Sequence, residues 1–144
     1  LPEADLPEIL PGRGQVIVTE PLPGVRLRGS FHADEGYYYF RALDGDRVLL
    51  GGGRNLDIVG ERTTSHETTT MIQEALETML RRDILPDHPS VQIAIRWAGT
   101  MAFTEKKQPH VGFVNPSTLV AFGCNGMGVA LSTIVAERAA DLLS

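Results

Sequence analysis

The residues best suited to chemistry lie where Gly123-Cys124-Asn125-Gly126-Met127-Gly128 runs straight into Val129-Ala130-Leu131-Ser132. Glycines let a backbone take positive φ and let a ligand approach its amides closely. The amides that open a helix together carry roughly half a positive charge, which favours phosphate or a delocalised anion. The spacing G-x-x-G-x-G is not the dinucleotide fingerprint G-x-G-x-x-G, and no acidic residue follows at the distance that ribose recognition needs. A tight strand-to-helix turn with no ligand is an equal reading of these glycines alone. In Tyr37-Tyr38-Tyr39-Phe40-Arg41, tyrosine hydroxyls and a guanidinium could wall a site for an acid. The plainer reading, preferred for these residues alone, is a strand whose aromatics fill a core and whose arginine reaches outward. Gly51-Gly52-Gly53-Arg54 either admits another backbone or ends a strand. Trp97 could lie beside a cofactor, although a lone tryptophan is more often core. Cys124 is a thiol near a helix start or, preferred, a small apolar filler. No Ser-His-Asp set and no pair of carboxylates stands at a catalytic spacing.

The elements that must position these residues follow from periodicity. Residues 14–20 alternate, with Val16 and Val18 on one face and Gln15, Ile17 and Thr19 on the other: a strand, closed by a turn at Pro21-Leu22-Pro23-Gly24. Residues 37–42 and 47–50 make a hairpin around Asp44-Gly45, with Tyr37, Tyr39 and Arg41 sharing one face. Thr64-x-x-Glu67 reads as a capping box opening a helix over 64–82, with a stripe of Met71, Ile72, Ala75, Leu76, Met79 and Leu80. Residues 91–99 form a strand with Val91, Ile93, Ile95 and Trp97 on one side. Two short strands follow around Asn115-Pro116, and a helix runs over 127–143. The expected class is α+β: a mixed or antiparallel sheet with one long helix and a C-terminal helix.

Composition narrows the partners. A chain of 144 residues with 42% hydrophobic and 22% charged residues fits one globular domain. Its net charge of −5 and lack of a basic cluster argue against nucleic acid. No apolar run reaches the roughly 20 residues of a membrane span. The single cysteine excludes an internal disulfide and favours a reducing compartment, so a cytoplasmic location is expected. The four histidines show no ligand spacing, and no metal is expected. The Pro-rich residues 1–13, opening on leucine, read as a linker or lead-in segment of a longer protein.

Taken in order, "GRGQVIVTEPL", "YYYFRALDGDRVLLGGGR", "RWAGTMAFTEKKQPHVGF" and "VAFGCNGMGVALSTIVAERAADLL" resemble the C-terminal half of the D-amino-acid oxidase, glycine oxidase and sarcosine oxidase superfamily of FAD-dependent oxidoreductases. The "YYYFR" and "GCNGMGVALS" stretches look most like amine oxidases related to γ-glutamylputrescine oxidase. The resemblance implies a substrate-binding sheet over 14–122 and a flavin-capping turn and helix over 123–144, with FAD bound non-covalently and mainly by an N-terminal half. It implies that Gly123, Asn125, Gly126, Met127, Gly128 and Val129 meet the flavin edge where negative charge gathers on reduction. It further implies a small amine or amino-acid substrate, hydride transfer from its amine-bearing carbon, and hydrogen peroxide as product. Catalysis there is alignment plus electrostatics, so no essential acid or base is expected among these residues.

The same resemblance shows departures. Met101 stands where relatives that act on small amino acids place a carboxylate-binding arginine, Gly126 where glycine oxidases carry another, and Ala130 where sarcosine-oxidase-like members carry a lysine. Their covalent flavin cysteine has no counterpart. A buried carboxylate without a cationic partner is costly. An amine, a polyamine, or an acid held by Arg41 or Arg54 is therefore the expected substrate, on a wall of Tyr37, Tyr39, Arg41, Arg54 and Met101. Two alternatives remain at this point: a non-catalytic binding or assembly module, and a flavin dehydrogenase that passes electrons to a protein or quinone. An isolated chain of this kind is expected to be inactive and to self-associate through Val129, Ile134 and Leu142.

Overall fold

The structure is a computed structural model that describes residues 6–44 and 46–144. It falls into two compact units, one of Arg13–Thr100 and one of the described residues up to Gly12 with Met101–Ser144. Strands are β1 (Ile9–Thr19), β2 (Ser30–Ala33), β3 (Tyr38–Leu43), β4 (Arg47–Gly52), β5 (Ile93–Thr104), β6 (His110–Asn115) and β7 (Thr118–Phe122), and the helices are α1 (Thr70–Met79) and α2 (Gly128–Asp141). A five-stranded sheet has the order β2-β3-β4-β1-β5, and β6 and β7 form a separate antiparallel pair. The α+β class with antiparallel sheets, one longer central helix region and a C-terminal helix is as the sequence predicts.

In the larger unit β1 pairs antiparallel with β4, β4 with β3 and β3 with β2. Ile17, Val48 and Leu50 project from the sheet onto Ile72, Leu76 and Leu80 of the helical region, and Leu85 and Val91 complete the core. Tyr38 and Phe40 pack against that core, and the Phe40 ring stacks on Phe31 with centroids 4.8 Å apart. β1 begins at Ile9, earlier than its alternation shows, because Pro11 and Gly12 interrupt the pattern without ending the strand. The β3–β4 turn takes its positive φ at Asp46 (57°); Gly45, the glycine expected to supply it, lies outside the described residues. Val25 donates to the Leu22 carbonyl at 3.1 Å, closing the expected Pro-Gly turn.

Helix α1 starts six residues later than Thr64, and the capping box does not form. A long-range partner takes over its start. The Gln15 carboxamide accepts from the Thr69 amide at 2.9 Å and donates to the Thr69 hydroxyl at 2.9 Å. Gln15 also donates to Glu61 at 3.0 Å, and Glu61 receives the buried Arg13 guanidinium on both carboxylate oxygens, at 2.9 and 2.6 Å. Orphan amides at a helix start need an acceptor, and here β1 supplies it. The apolar stripe is narrower than expected: Ile72, Leu76 and Leu80 are buried while Met71 is exposed. After Met79 the chain widens into a π-helical turn, Leu80–Ile84.

The smaller unit holds the β6–β7 hairpin, whose bend is set by the Asn115 carboxamide accepting from the Ser117 amide at 3.0 Å. Helix α2 lies against both strands and buries Val135.

Candidate functional site

In the smaller unit the terminal glycine motif is a defined turn. The Met127 amide donates to the Cys124 carbonyl at 2.8 Å, and the two residues between, Asn125 (φ 54°) and Gly126 (φ 83°), are both left-handed. That is the type I′ pattern for which Asn-Gly is the preferred pair. Gly123 precedes it at φ 77°, and a Cβ there would sit 2.8 Å from the Thr104 methyl. Gly128 differs. Its φ is ordinary, and an added Cβ would meet only the Cys124 Cβ, at 3.9 Å. Neither conformation nor packing within the chain calls for glycine at that position, the first residue of α2.

The turn leaves the amides of Gly126, Gly128 and Val129 without an acceptor among the described residues. They border a recess of about 290 Å³ lined by Met101, Ala102, Cys124, Asn125, Gly126, Gly128 and Val129. Met101 belongs to this recess as well as to β5, its sulfur 3.5 Å from where a Gly126 Cβ would lie. The Asn125 side chain is turned to the scaffold, so only its backbone faces the motif's open side. Half-buried Cys124 lines the recess. Such a set can hold an anion or an electron-rich planar edge through backbone donors at a helix start.

In the larger unit the candidate substrate residues divide. Tyr39 and Arg41 alternate with core-facing Tyr38 and Phe40, so they share the sheet face turned away from α1. Tyr37 does not join them: it ends a short helical turn at φ −68° and ψ −20°, one residue before β3 begins, so strand alternation does not extend to it. Its carbonyl instead accepts from the Gly53 amide at 3.1 Å. The close-approach reading of the triple glycine holds, since a Cβ on Gly52 would stand 2.0 Å from that carbonyl oxygen. Gly51 seats the Tyr39 ring, which passes 2.5 Å from where a Gly51 Cβ would be. Burial raises the Tyr39 phenol above its ordinary value of 10.0, so it stays a protonated donor at neutral pH. Arg41 is exposed and makes no side-chain hydrogen bond or ion pair among the described residues. Arg54 opens a 3₁₀ turn, Arg54–Asp57, after left-handed Gly53.

Trp97 is not core; it is 40% exposed. β5 lies at a sheet edge, and the position facing α1 is taken by Arg96, which donates to Gln73 at 2.9 Å and to Glu77 at 2.5 Å. Ile95 and Trp97 are both exposed, whereas Ile93, two residues earlier on β5, packs on the core and buried Val91 precedes the strand, so the four residues expected to share one side do not share one environment. The periodicity marks Trp97 as strand but cannot say which face of the sheet is covered. Thr104, buried beneath the glycine turn, went unnoticed in the sequence because nothing local links it to Asn125, 21 residues away.

A family described as FAD dependent oxidoreductase (DAO) matches residues 1–142. "Probable oxidoreductase OrdL" of Haemophilus influenzae is 27% identical over 143 residues, covering 94% of this chain and 30% of that protein. Among solved structures, L-proline dehydrogenase from P. horikoshii is similar at a TM-score of 0.77 and 19% identity, over 98% of this chain and 37% of the other. Glycine oxidase from Geobacillus kaustophilus is similar at a TM-score of 0.70 and 22% identity, over 95% and 35%. The chain thus spans about a third of the length of the relatives it matches. An acceptor-free amide turn on a recess, at the end of an α+β fold shared with these enzymes, agrees with the match over nearly the whole sequence: the chain belongs to the DAO family of FAD-dependent oxidoreductases.

Proposed function

We propose that this chain is the substrate-binding and flavin-capping portion of a larger oxidoreductase that oxidises a carbon–nitrogen bond in a small amine or amino acid. The observation that carries the proposal is the set of free amides at Gly126, Gly128 and Val129, with a glycine at 128 that the chain's own fold does not need. This donor set fits the electron-rich edge of a flavin: the amides are neutral, fixed and close to a helix start, so they favour a diffuse negative charge. Missing Cβ atoms at 126 and 128 leave room for a flat ring against the backbone.

Bound FAD would supply the hydride acceptor for oxidation of the amine-bearing carbon, with dioxygen as the terminal acceptor that would yield hydrogen peroxide. The chain's residues do the rest. Gly123, Asn125, Gly126, Met127, Gly128 and Val129 form the capping turn, with Met101 on the recess wall. Tyr39 and Arg41 present a phenol donor and an unpaired guanidinium on one sheet face, with Tyr37 and Arg54 contributing from the turns that flank β3 and β4. A guanidinium without an internal partner suits a carboxylate, so the wall selects an acidic amine over a purely basic one. Residues outside this chain bind most of the FAD, without a covalent link.

The test is to express the full coding region and offer it amines and amino acids while following peroxide and flavin bleaching. Bleaching with stoichiometric peroxide is the expected result. Bleaching without peroxide would assign the electrons to a protein or quinone acceptor, and a full-length protein with no flavin absorbance would refute the proposal. The 144-residue chain alone is expected to purify colourless.

A further inference from the structure

We infer that Asn125 and Thr104 are positioning residues that aim the capping amides. The inference rests on the reading of this turn as a flavin contact. Asn125 meets β5 on both sides of Phe103: its amide donates to the Ala102 carbonyl at 3.2 Å, and its side-chain oxygen accepts from the Thr104 amide at 2.8 Å. The turn is thus laced to β5 in two places, through the Asn125 amide and through its carboxamide. Its nitrogen donates to the Gly123 carbonyl and, at 3.3 Å, to the Thr104 hydroxyl. That hydroxyl is itself fixed, donating to the Gln108 carbonyl at 2.9 Å and accepting from the Gln108 amide at 3.1 Å. Thr104 is 6% exposed, and its methyl closes on Gly123.

The consequence is geometric. Gly126, Gly128 and Val129 hold their amides free because the preceding residues are tied down by Asn125, and no other side chain is seen to hold the turn among the described residues. Donors stabilise developing charge in proportion to how little they must reorganise. Without the clamp the turn keeps its glycines and its amides but loses their common aim. Asn125 acts through the backbone it fixes and does not touch the flavin with its side chain.

Asn125→Gly is the clean probe, since glycine keeps the left-handed backbone and removes only the carboxamide. In the full-length protein, hydrogen exchange at the 126–129 amides should rise at least tenfold while the amides of α1 stay unchanged. The preference for reduced over oxidised flavin should fall about tenfold, which lowers a two-electron potential by about 30 mV. Thr104→Ser, which keeps the hydroxyl, should match the wild type on both readouts. Should Asn125→Gly give no folded holoenzyme, Thr104→Val takes its place with the same direction and a smaller size on both readouts, since it removes only the hydroxyl that holds the Asn125 nitrogen and Gln108. Wild-type exchange or a wild-type potential in the clamp variant overturns the inference, as does a Thr104→Ser protein as impaired as Asn125→Gly. A flavin-free protein would refute the proposed function instead, and exchange at the Met127 amide, which donates to the Cys124 carbonyl within the turn, would still judge the clamp.

Discussion

Glycines 123 and 128 share one motif but answer to different demands, and substitution separates them. At Gly123 a Cβ meets the Thr104 methyl at 2.8 Å in a left-handed backbone, so Gly123→Ala should destabilise the chain by about 1–3 kcal/mol in urea unfolding. At Gly128 the backbone is helical and the nearest atom is 3.9 Å away, so Gly128→Ala should leave stability equal or up to about 1 kcal/mol higher. The same alanine would cover the free amides and weaken flavin retention in the full-length protein. Equal destabilisation by both changes would contradict the assignment of Gly128 to a ligand.

At the scale of elements, the start of α1 depends on a buried polar network that no neighbouring residue could supply. Glu61 is 1% exposed and Arg13 6%. Glu61→Ala strands a buried guanidinium and should cost about 3–5 kcal/mol, whereas replacing both partners with apolar residues of similar volume should cost much less. Chemical denaturation of the two variants makes that comparison directly. One turn further along α1 from Gln73, burial alone would raise the Glu77 carboxyl, but hydrogen bonds and charge from Arg81 and Arg96 outweigh it and hold it below its ordinary 4.5. A depressed folded-state value contributes stability that is present above the unfolded value and lost as pH falls through the folded one. Glu77→Gln should therefore be somewhat destabilised at neutral pH, by about 1 kcal/mol or less for so exposed a trio. The gap between Glu77→Gln and the wild type should close below pH 4.5.

The molecule as a whole leaves α2 with apolar residues on its surface. Val129 is 99% exposed, Ile134 46% and Leu142 49%. Bare apolar side chains of this kind drive association, and under the proposed function they meet a nucleotide-binding segment outside this chain. The isolated chain should sediment as dimers or larger species at raised concentration, and Ile134→Glu with Val129→Asp should shift it to monomer. A concentration-independent monomer would count against this use of α2. No described helix is long and apolar enough to cross a membrane.

The amino-acid pattern by itself determined the strands other than β2 and the far end of β5, the β3–β4 and β6–β7 hairpins, the C-terminal helix and the left-handed turn, because each rests on short-range periodicity or on glycine and asparagine stereochemistry. It also carried the family, through the order of four stretches no one of which is specific. Tertiary structure decided the rest. The start of α1 moved to Thr70 because Gln15, far away in β1, outcompetes a local cap. Tyr37 fell in a turn before β3, and Trp97 came out exposed on an edge strand, because strand bounds and sheet order, not alternation alone, decide where a side chain lies. Thr104 and Asn125 found each other across 21 residues, a pairing that only a closed chain can make, since hydrogen bonds and burial act through space while spacing rules act along the sequence.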